Sequence, residues 1–215
     1  MPPRRLILLR HGQTQANRDG IWQGHLDVAL TEAGHAQAAA AAAALTAYAP
    51  VRLVSSDLQR AARTAQAVAE RVGRPVELDP RWREFDVGQW TGLTNAEVIA
   101  RHPQERLAAL RWQEQRRGID GEGPAQVAAR VEPALADLIS ALQAGQSAII
   151  VTHGGTIRVL LATLLGIDVQ TTRLLTTPGN CQWAELVQAD TGWRVAGWNL
   201  RAADPDDSCQ DARLG

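Results

Sequence analysis

The chain of 215 residues contains no lysine: all 22 of its basic residues are arginine. This excludes lysine Schiff-base chemistry and a phosphate loop built on a lysine. It also makes any anion site a guanidinium site, fit for bidentate contact with phosphate. Cysteine is scarce. Cys181 and Cys209 stand far apart, so no zinc spacing or disulfide framework exists, and a reducing, cytoplasmic compartment is expected. Long apolar runs are also missing. The basic opening Met1-Pro2-Pro3-Arg4-Arg5 leads only into Leu6 to Leu9. That is too short for the apolar region of a signal peptide, and no stretch approaches the roughly 18 residues of a membrane span. The net charge of −1 leaves no global basic footprint, so neither nucleic acid nor membrane is an expected partner.

What is present suits a globular protein with a core. The length fits one compact domain, read over residues 1–201, with a polar tail over 202–215 expected to fray. Leu6-Ile7-Leu8-Leu9 reads as a buried strand of a parallel sheet. Further strands are expected at 51–55, 76–78 and 147–152. Helices are expected over 31–48, 56–72, 94–101, 103–117, 124–142 and 157–165, with 12–30 a loop. The alanines at 38–44 belong to the first helix, since alanine is the strongest helix former and lets helices pack closely. Ser56 to Gln59 and Thr94 to Glu97 each fit a capping box. Two late strands, 181–187 and 193–199, flank an Asp190-Thr191-Gly192 turn as a hairpin. An exposed late strand is a candidate surface for a homodimer. Strands alternating with helices predict an α/β fold, a three-layer α/β/α arrangement with a mostly parallel central sheet.

In such sheets ligands bind beyond the carboxyl ends of the strands. The first strand ends in Arg10-His11-Gly12 and the strand at 147–152 ends in His153-Gly154-Gly155. The strand at 51–55 leads into a helix whose first turn carries Arg60. Positive charge near a helix N-terminus is unfavourable unless an anion is present. Glycines after both histidines permit close approach of the backbone to a ligand. The chemistry that fits is phosphoryl transfer to imidazole, with Arg10, Arg60 and His153 around the phosphoryl oxygens. Glu84 is a candidate general acid; a solvated loop charge is the plainer reading of it. Trp22, Trp82 and Trp90 either wall a sugar site or pack the loops on the core. Trp112, Trp183, Trp193 and Trp198 are read as structural or interfacial.

Leu8-Leu9-Arg10-His11-Gly12-Gln13-Thr14 resembles the opening motif of the histidine phosphatase superfamily, also called phosphoglycerate mutase-like. Asn17, Gln23-Gly24, Leu30-Thr31-Glu32-Ala33-Gly34 and Gln37-Ala38 follow in the family's order. Ser55-Ser56-Asp57-Leu58-Gln59-Arg60-Ala61 with Thr64-Ala65 resembles its second arginine motif. Arg83-Glu84 with Gly88, Trp90 and Gly92-Leu93 resembles its general-acid loop, and Val151-Thr152-His153-Gly154-Gly155 its second-histidine motif. The resemblance spans about residues 5 to 160.

The resemblance implies that His11 is the phosphorylated nucleophile and Glu84 the proton donor. It implies that Arg10, Arg60 and His153 hold the phosphoryl oxygens with Asn17, and that Gln23, Gly24 and Gly154 border the substrate. It implies no metal and no cofactor. The function expected is that of a phosphoric monoester hydrolase acting on a small phosphorylated metabolite. The modest helical segment between Glu84 and His153 is similar to the phosphatase branch, not to mutases, which carry longer insertions there. A mutase-type phosphotransferase and a non-catalytic phosphoester-binding module are the alternatives. A metal hydrolase using His11, His153 and Glu84 is disfavoured by the paired arginines. One departure stands out: many members carry Gly-Glu-Ser before the long helix, where this chain has Gly121-Glu122-Gly123.

Overall fold

The structure, a computed structural model, describes residues 2–203, so Cys209 and nearly all of the anticipated tail lie outside the described residues. Strand β1 (Arg5–Arg10) carries four consecutive apolar residues because both of its faces are covered. Leu6 and Leu8 point into one core, Ile7 and Leu9 into the other. Its parallel neighbour β4 (Ser147–Thr152) is buried throughout. Strand β2 (Arg52–Ser55) pairs in parallel with β4, and the short β3 (Glu77–Leu78) with β2. On the other side of β1, β5 (Trp183–Ala189) and β6 (Gly192–Leu200) add an antiparallel hairpin. The six-stranded order is β3-β2-β4-β1-β5-β6, which realises the expected mostly parallel sheet.

Helices α2 (Glu32–Leu45) and α3 (Gln59–Val72) cover one face. The alanine run serves this packing: Ala38, Ala41, Ala42 and Leu45 are buried at helical spacing and meet Ala61 and Ala65 of α3. Helices α6 (Pro124–Ser140) and α7 (Gly154–Leu165) cover the other face. Between β3 and α6 lie α4 (Asn95–Arg101) and α5 (Pro103–Leu110). Thr94 and Glu97 form the expected capping box of α4.

Several sequence expectations are corrected. The presumed loop at 12–30 holds a short helix, α1 (Gln15–Asp19), capped by Thr14 with Asn17 and closed by the left-handed Gly20. Helix α3 begins after Leu58, with no side-chain cap. Gln59, expected in a capping box with Ser56, reaches Asp27 instead. Helix α5 ends at Leu110 rather than near 117, because Trp112 adopts a left-handed φ of 54°. Helix α7 starts at Gly154, directly after His153.

The segment after β1 is held against the first turn of α2 by two glycines. A Cβ on Gly12 would fall 2.5 Å from the Gly34 carbonyl oxygen, and one on Gly34 would fall 2.2 Å from that of Gln13. Both neighbours are backbone and have no rotamer by which to move aside. Gly34→Ala is therefore expected to destabilise the fold by about 1–3 kcal/mol, measured by denaturant unfolding. A change below a few tenths would show that this contact relaxes freely.

Candidate active site

His11 follows β1 and His153 follows β4. The parallel register sets Arg10 opposite Thr152, so both imidazoles leave the sheet side by side, with ring centroids 5.1 Å apart. Nδ1 of His11 lies 2.7 Å from the Gly12 carbonyl oxygen. A carbonyl only accepts, so Nδ1 carries the hydrogen and Nε2 keeps its lone pair. In the first turn of α3, Arg60 donates to the Leu26 and Gly24 carbonyls at 2.8 Å each and to His153 Nδ1 at 3.2 Å. A guanidinium only donates, so the hydrogen of His153 sits on Nε2, which donates to Ser56 Oγ at 2.9 Å. Arg10 donates from Nη1 to the Pro178 carbonyl at 2.7 Å. Its Nε is buried without a partner.

These contacts hold two cations beside two neutral imidazoles. Burial, then Arg60 and Arg10, keeps His11 well below the ordinary imidazole pKa. His153 is lowered in the same direction, by burial first and then by Arg60, His11, Arg10 and Arg130. Burial brings Arg60 down to about 10, which leaves it protonated at neutral pH. The site therefore presents an unprotonated imidazole nitrogen among guanidinium groups, an environment suited to an anion.

Glu84 enters from the loop between β3 and α4, anchored by the buried Trp82, Phe85 and Trp90. Its Oε2 accepts from the N–H of Gly155 at 3.0 Å and its Oε1 from that of Thr156 at 3.1 Å. The carboxylate thus sits on the N-terminus of α7, where negative charge is favoured. The loop is clamped from both sides. Arg130 of α6 donates to the carbonyls of Arg81, Arg83 and Glu84, each at 2.8 Å. Arg83 grips Asp57 at 2.7 and 2.5 Å. Glu122 accepts from Arg130 and from the N–H of Asp86, each at 2.9 Å.

The departure at Gly123 is compensated locally. Gly123 is the N-cap of α6 and supplies no hydroxyl. The Glu114 carboxylate accepts from the N–H of Ala125 at 3.0 Å in its place, and Gln126 reaches back to the N–H of Gly123 at 2.8 Å.

A cavity of about 560 Å³ opens over these groups. Arg10, His11, Arg60 and Glu84 line it, as do Asn17, Gln23 and Gly24. Asn17 Oδ1 accepts from the N–H of Thr14 at 3.1 Å and from Asn180 at 3.1 Å, leaving its Nδ2 as the end available to a ligand. Gln23 accepts from Thr14 Oγ at 3.0 Å. Two anticipated residues stand behind the cavity wall. His153 is fully buried with both nitrogens engaged, and a Cβ on Gly154 would contact Thr177 and Arg10. Trp22 lines the cavity, whereas Trp82 and Trp90 are core residues. Trp112 also lines it, which corrects its reading as merely structural or interfacial.

Sequence reasoning missed three further groups. Ser56 binds His153 instead of capping a helix. Arg117 and Arg158 face the cavity, and the glycine at 118 was the one signal that the chain turns back there. Among the described residues, no group of three or more His, Cys, Asp or Glu is placed to hold a metal ion. No helix of the described residues is long and apolar enough to cross a membrane.

Residues 6–201 match the model of the histidine phosphatase superfamily, branch 1. The chain belongs to the histidine phosphatase superfamily. Within it, the chain is 38% identical to a glucosyl-3-phosphoglycerate phosphatase of Mycolicibacterium vanbaalenii, over 96% of this chain and 99% of that one. It is 32% identical to a probable phosphoglycerate mutase of an Enterobacter species, over 92% and 91% of the two chains. The structure of mycobacterial glucosyl-3-phosphoglycerate phosphatase solved with VO3 superposes with a TM-score of 0.85 at 40% identity, covering 91% of this chain and 98% of that one.

The depressed imidazoles give this histidine phosphatase a pH signature. Below pH about 6.5 the unfolded chain takes up protons at His11 and His153 that the folded chain does not. Stability is therefore lost as pH falls from 7 toward 5, by up to about 1.4 kcal/mol per pH unit for each group. Denaturant unfolding of His11→Gln and His153→Gln should show a shallower loss over this range. Identical pH profiles for wild type and both variants would contradict the electrostatic picture.

Proposed function

We propose that the protein hydrolyses a small phosphate monoester through a phosphohistidine on His11, and that glucosyl-3-phosphoglycerate is the substrate. The observation that carries the chemistry is the neutral His11 ring, with Nδ1–H bound to the Gly12 carbonyl and Nε2 free beside Arg10 and Arg60. Nε2 attacks phosphorus, the P–N bond forms and the ester P–O bond breaks. Arg10, Arg60 and Asn17 hold the non-bridging oxygens. Arg10 Nε, unpartnered before substrate arrives, gains its acceptor from the phosphoryl group. His153 fixes Arg60 beside His11, and reaches a phosphoryl oxygen only by releasing one of its two bonds.

Glu84 gives a proton to the leaving alkoxide and then takes one from the water that cleaves the P–N bond. Inorganic phosphate and the alcohol are the products, and no metal takes part. Oε2, with a single bond from Gly155, has room for that proton. The sugar-acid substrate is supported by the relatives' activity and by Trp22 and Trp112 in the cavity wall. A cytoplasmic location goes with this reading, because phosphorylated sugar acids do not cross membranes unaided.

The test is kcat/KM over a panel of phosphate esters in EDTA, with products identified. The highest value is expected for glucosyl-3-phosphoglycerate, with one inorganic phosphate per turnover. A flat profile would leave a broad phosphatase, transfer to a second hydroxyl would indicate a mutase, and loss in EDTA alone would require a metal. Glu84→Gln should lower kcat on sugar esters by about 10²–10⁴. The loss should be much smaller on p-nitrophenyl phosphate, whose leaving group needs no proton. Equal losses on both would remove Glu84 from the role of acid.

A further inference from the structure

Arg117 is 5% exposed, lines the cavity, and makes no hydrogen bond or ion pair from its guanidinium; Nη1 is buried with no partner. The other arginines of the wall are engaged. Arg158 donates to the Thr172 and Leu175 carbonyls and to Thr177, and Arg106 donates to Asn95 at 2.9 Å. Arg117 lies over the rings of Phe85, at 4.2 Å, and Trp112, at 5.0 Å. These faces position the cation without satisfying its N–H groups. Glu84 and Glu114 act on this charge through space without bonding its N–H groups, which is costly for a buried cation and leaves them for an anion delivered by the ligand.

The segment that carries Arg117 is tied down by backbone contacts. Its N–H donates to the Glu122 carbonyl at 3.1 Å, and its own carbonyl accepts from Gly121 at 2.9 Å. A Cβ on Gly118 would fall 2.0 Å from the Val87 carbonyl oxygen, and one on Gly121 would fall 2.4 Å from that of Asp86. The loop of Arg117 is thus seated directly on the loop of Glu84. Arg117 stacks on Phe85, the residue after Glu84. Glu84 serves the leaving oxygen in the proposed reaction and is the foremost charge acting on Arg117, so Arg117 is placed on the alcohol side of the ester.

We infer that Arg117 binds a carboxylate carried by the alcohol half of the substrate, and so selects phosphate esters of hydroxy acids over those of neutral alcohols. This rests on the phosphatase reading above and adds to it the residue that sets the substrate class. A planar carboxylate matches the guanidinium fork.

The experiment compares 3-phosphoglycerate with sn-glycerol 3-phosphate, which differ by a carboxylate against a hydroxymethyl group. The ratio of their kcat/KM values is measured for wild type, Arg117→Met and Arg117→Lys. Methionine retains apolar contact with Phe85 and Trp112 but has no charge. The wild-type ratio should exceed about 10, and Arg117→Met should lower it by about 10–100-fold, the range of a charge-assisted hydrogen bond. The change should fall mainly on KM for 3-phosphoglycerate, and lysine should recover part of it. An unchanged ratio in Arg117→Met, with both substrates falling together or neither falling, would overturn the inference, as would a wild type indifferent to the carboxylate. If wild type turns over no ester at all, the phosphatase reading fails by itself. Calorimetric binding of the same two compounds to wild type and Arg117→Met then still decides the role of Arg117.

Discussion

The bond from His11 Nδ1–H to the carbonyl of the next residue sets the chemistry of the site. It fixes the tautomer, so one nitrogen keeps a lone pair and faces the cavity. Everything around it preserves that state. The parallel pairing of β1 with β4 brings His153 beside His11, and His153 in turn orients Arg60 through Nδ1. The glycines at 12 and 34 let the segment after His11 lie directly on α2. The proposed catalytic groups thus rest on the ends of the adjacent strands β1 and β4, on α3 after β2, and on the Glu84 loop held by the start of α7.

Charge explains why the rest of the wall is built as it is. Burial, reinforced by Arg60 and Arg10, holds His11 and His153 neutral, and a cavity lined by arginine with Glu84 as its carboxylate calls for an anion. The lack of lysine matters here, because guanidinium groups both bind phosphate in pairs and remain charged when buried. Glu84 is kept at the N-terminus of α7, and Arg130 with Glu122 fixes the loop that delivers it. In the proposed reaction Glu122 therefore acts only through the placement of Glu84.

The strands were legible because buried parallel strands announce themselves as short apolar runs, as Leu6 to Leu9 and Ile149 to Val151 do. The groups gathered at their ends were legible because Arg10, His11, His153 and Gly155 lie next to those runs. Asn17 and Gln23 were accessible only through the resemblance. Ser56 was misread because serine before a helix ordinarily caps it, whereas here a buried imidazole takes the hydroxyl. Residues 111–117 are mostly good helix formers, so local propensity favours continuing α5. The chain turns instead at Trp112 and Gly118, where packing against Phe85 and the 86–89 loop outweighs propensity. That tertiary turn is what brings Trp112 and Arg117 to the cavity, and Gly118 is its one local signal.

The central claim is that Nε2 of His11 carries the phosphoryl group. It is tested most directly by rapid alkaline quenching of the enzyme during turnover of ³²P-labelled ester, followed by peptide mapping and identification of the phosphohistidine isomer. The account predicts acid-labile, base-stable label on His11 alone, as the Nε2 isomer, formed and lost at rates compatible with kcat. Label on Nδ1, label on another residue, or turnover with no phosphoenzyme would contradict it.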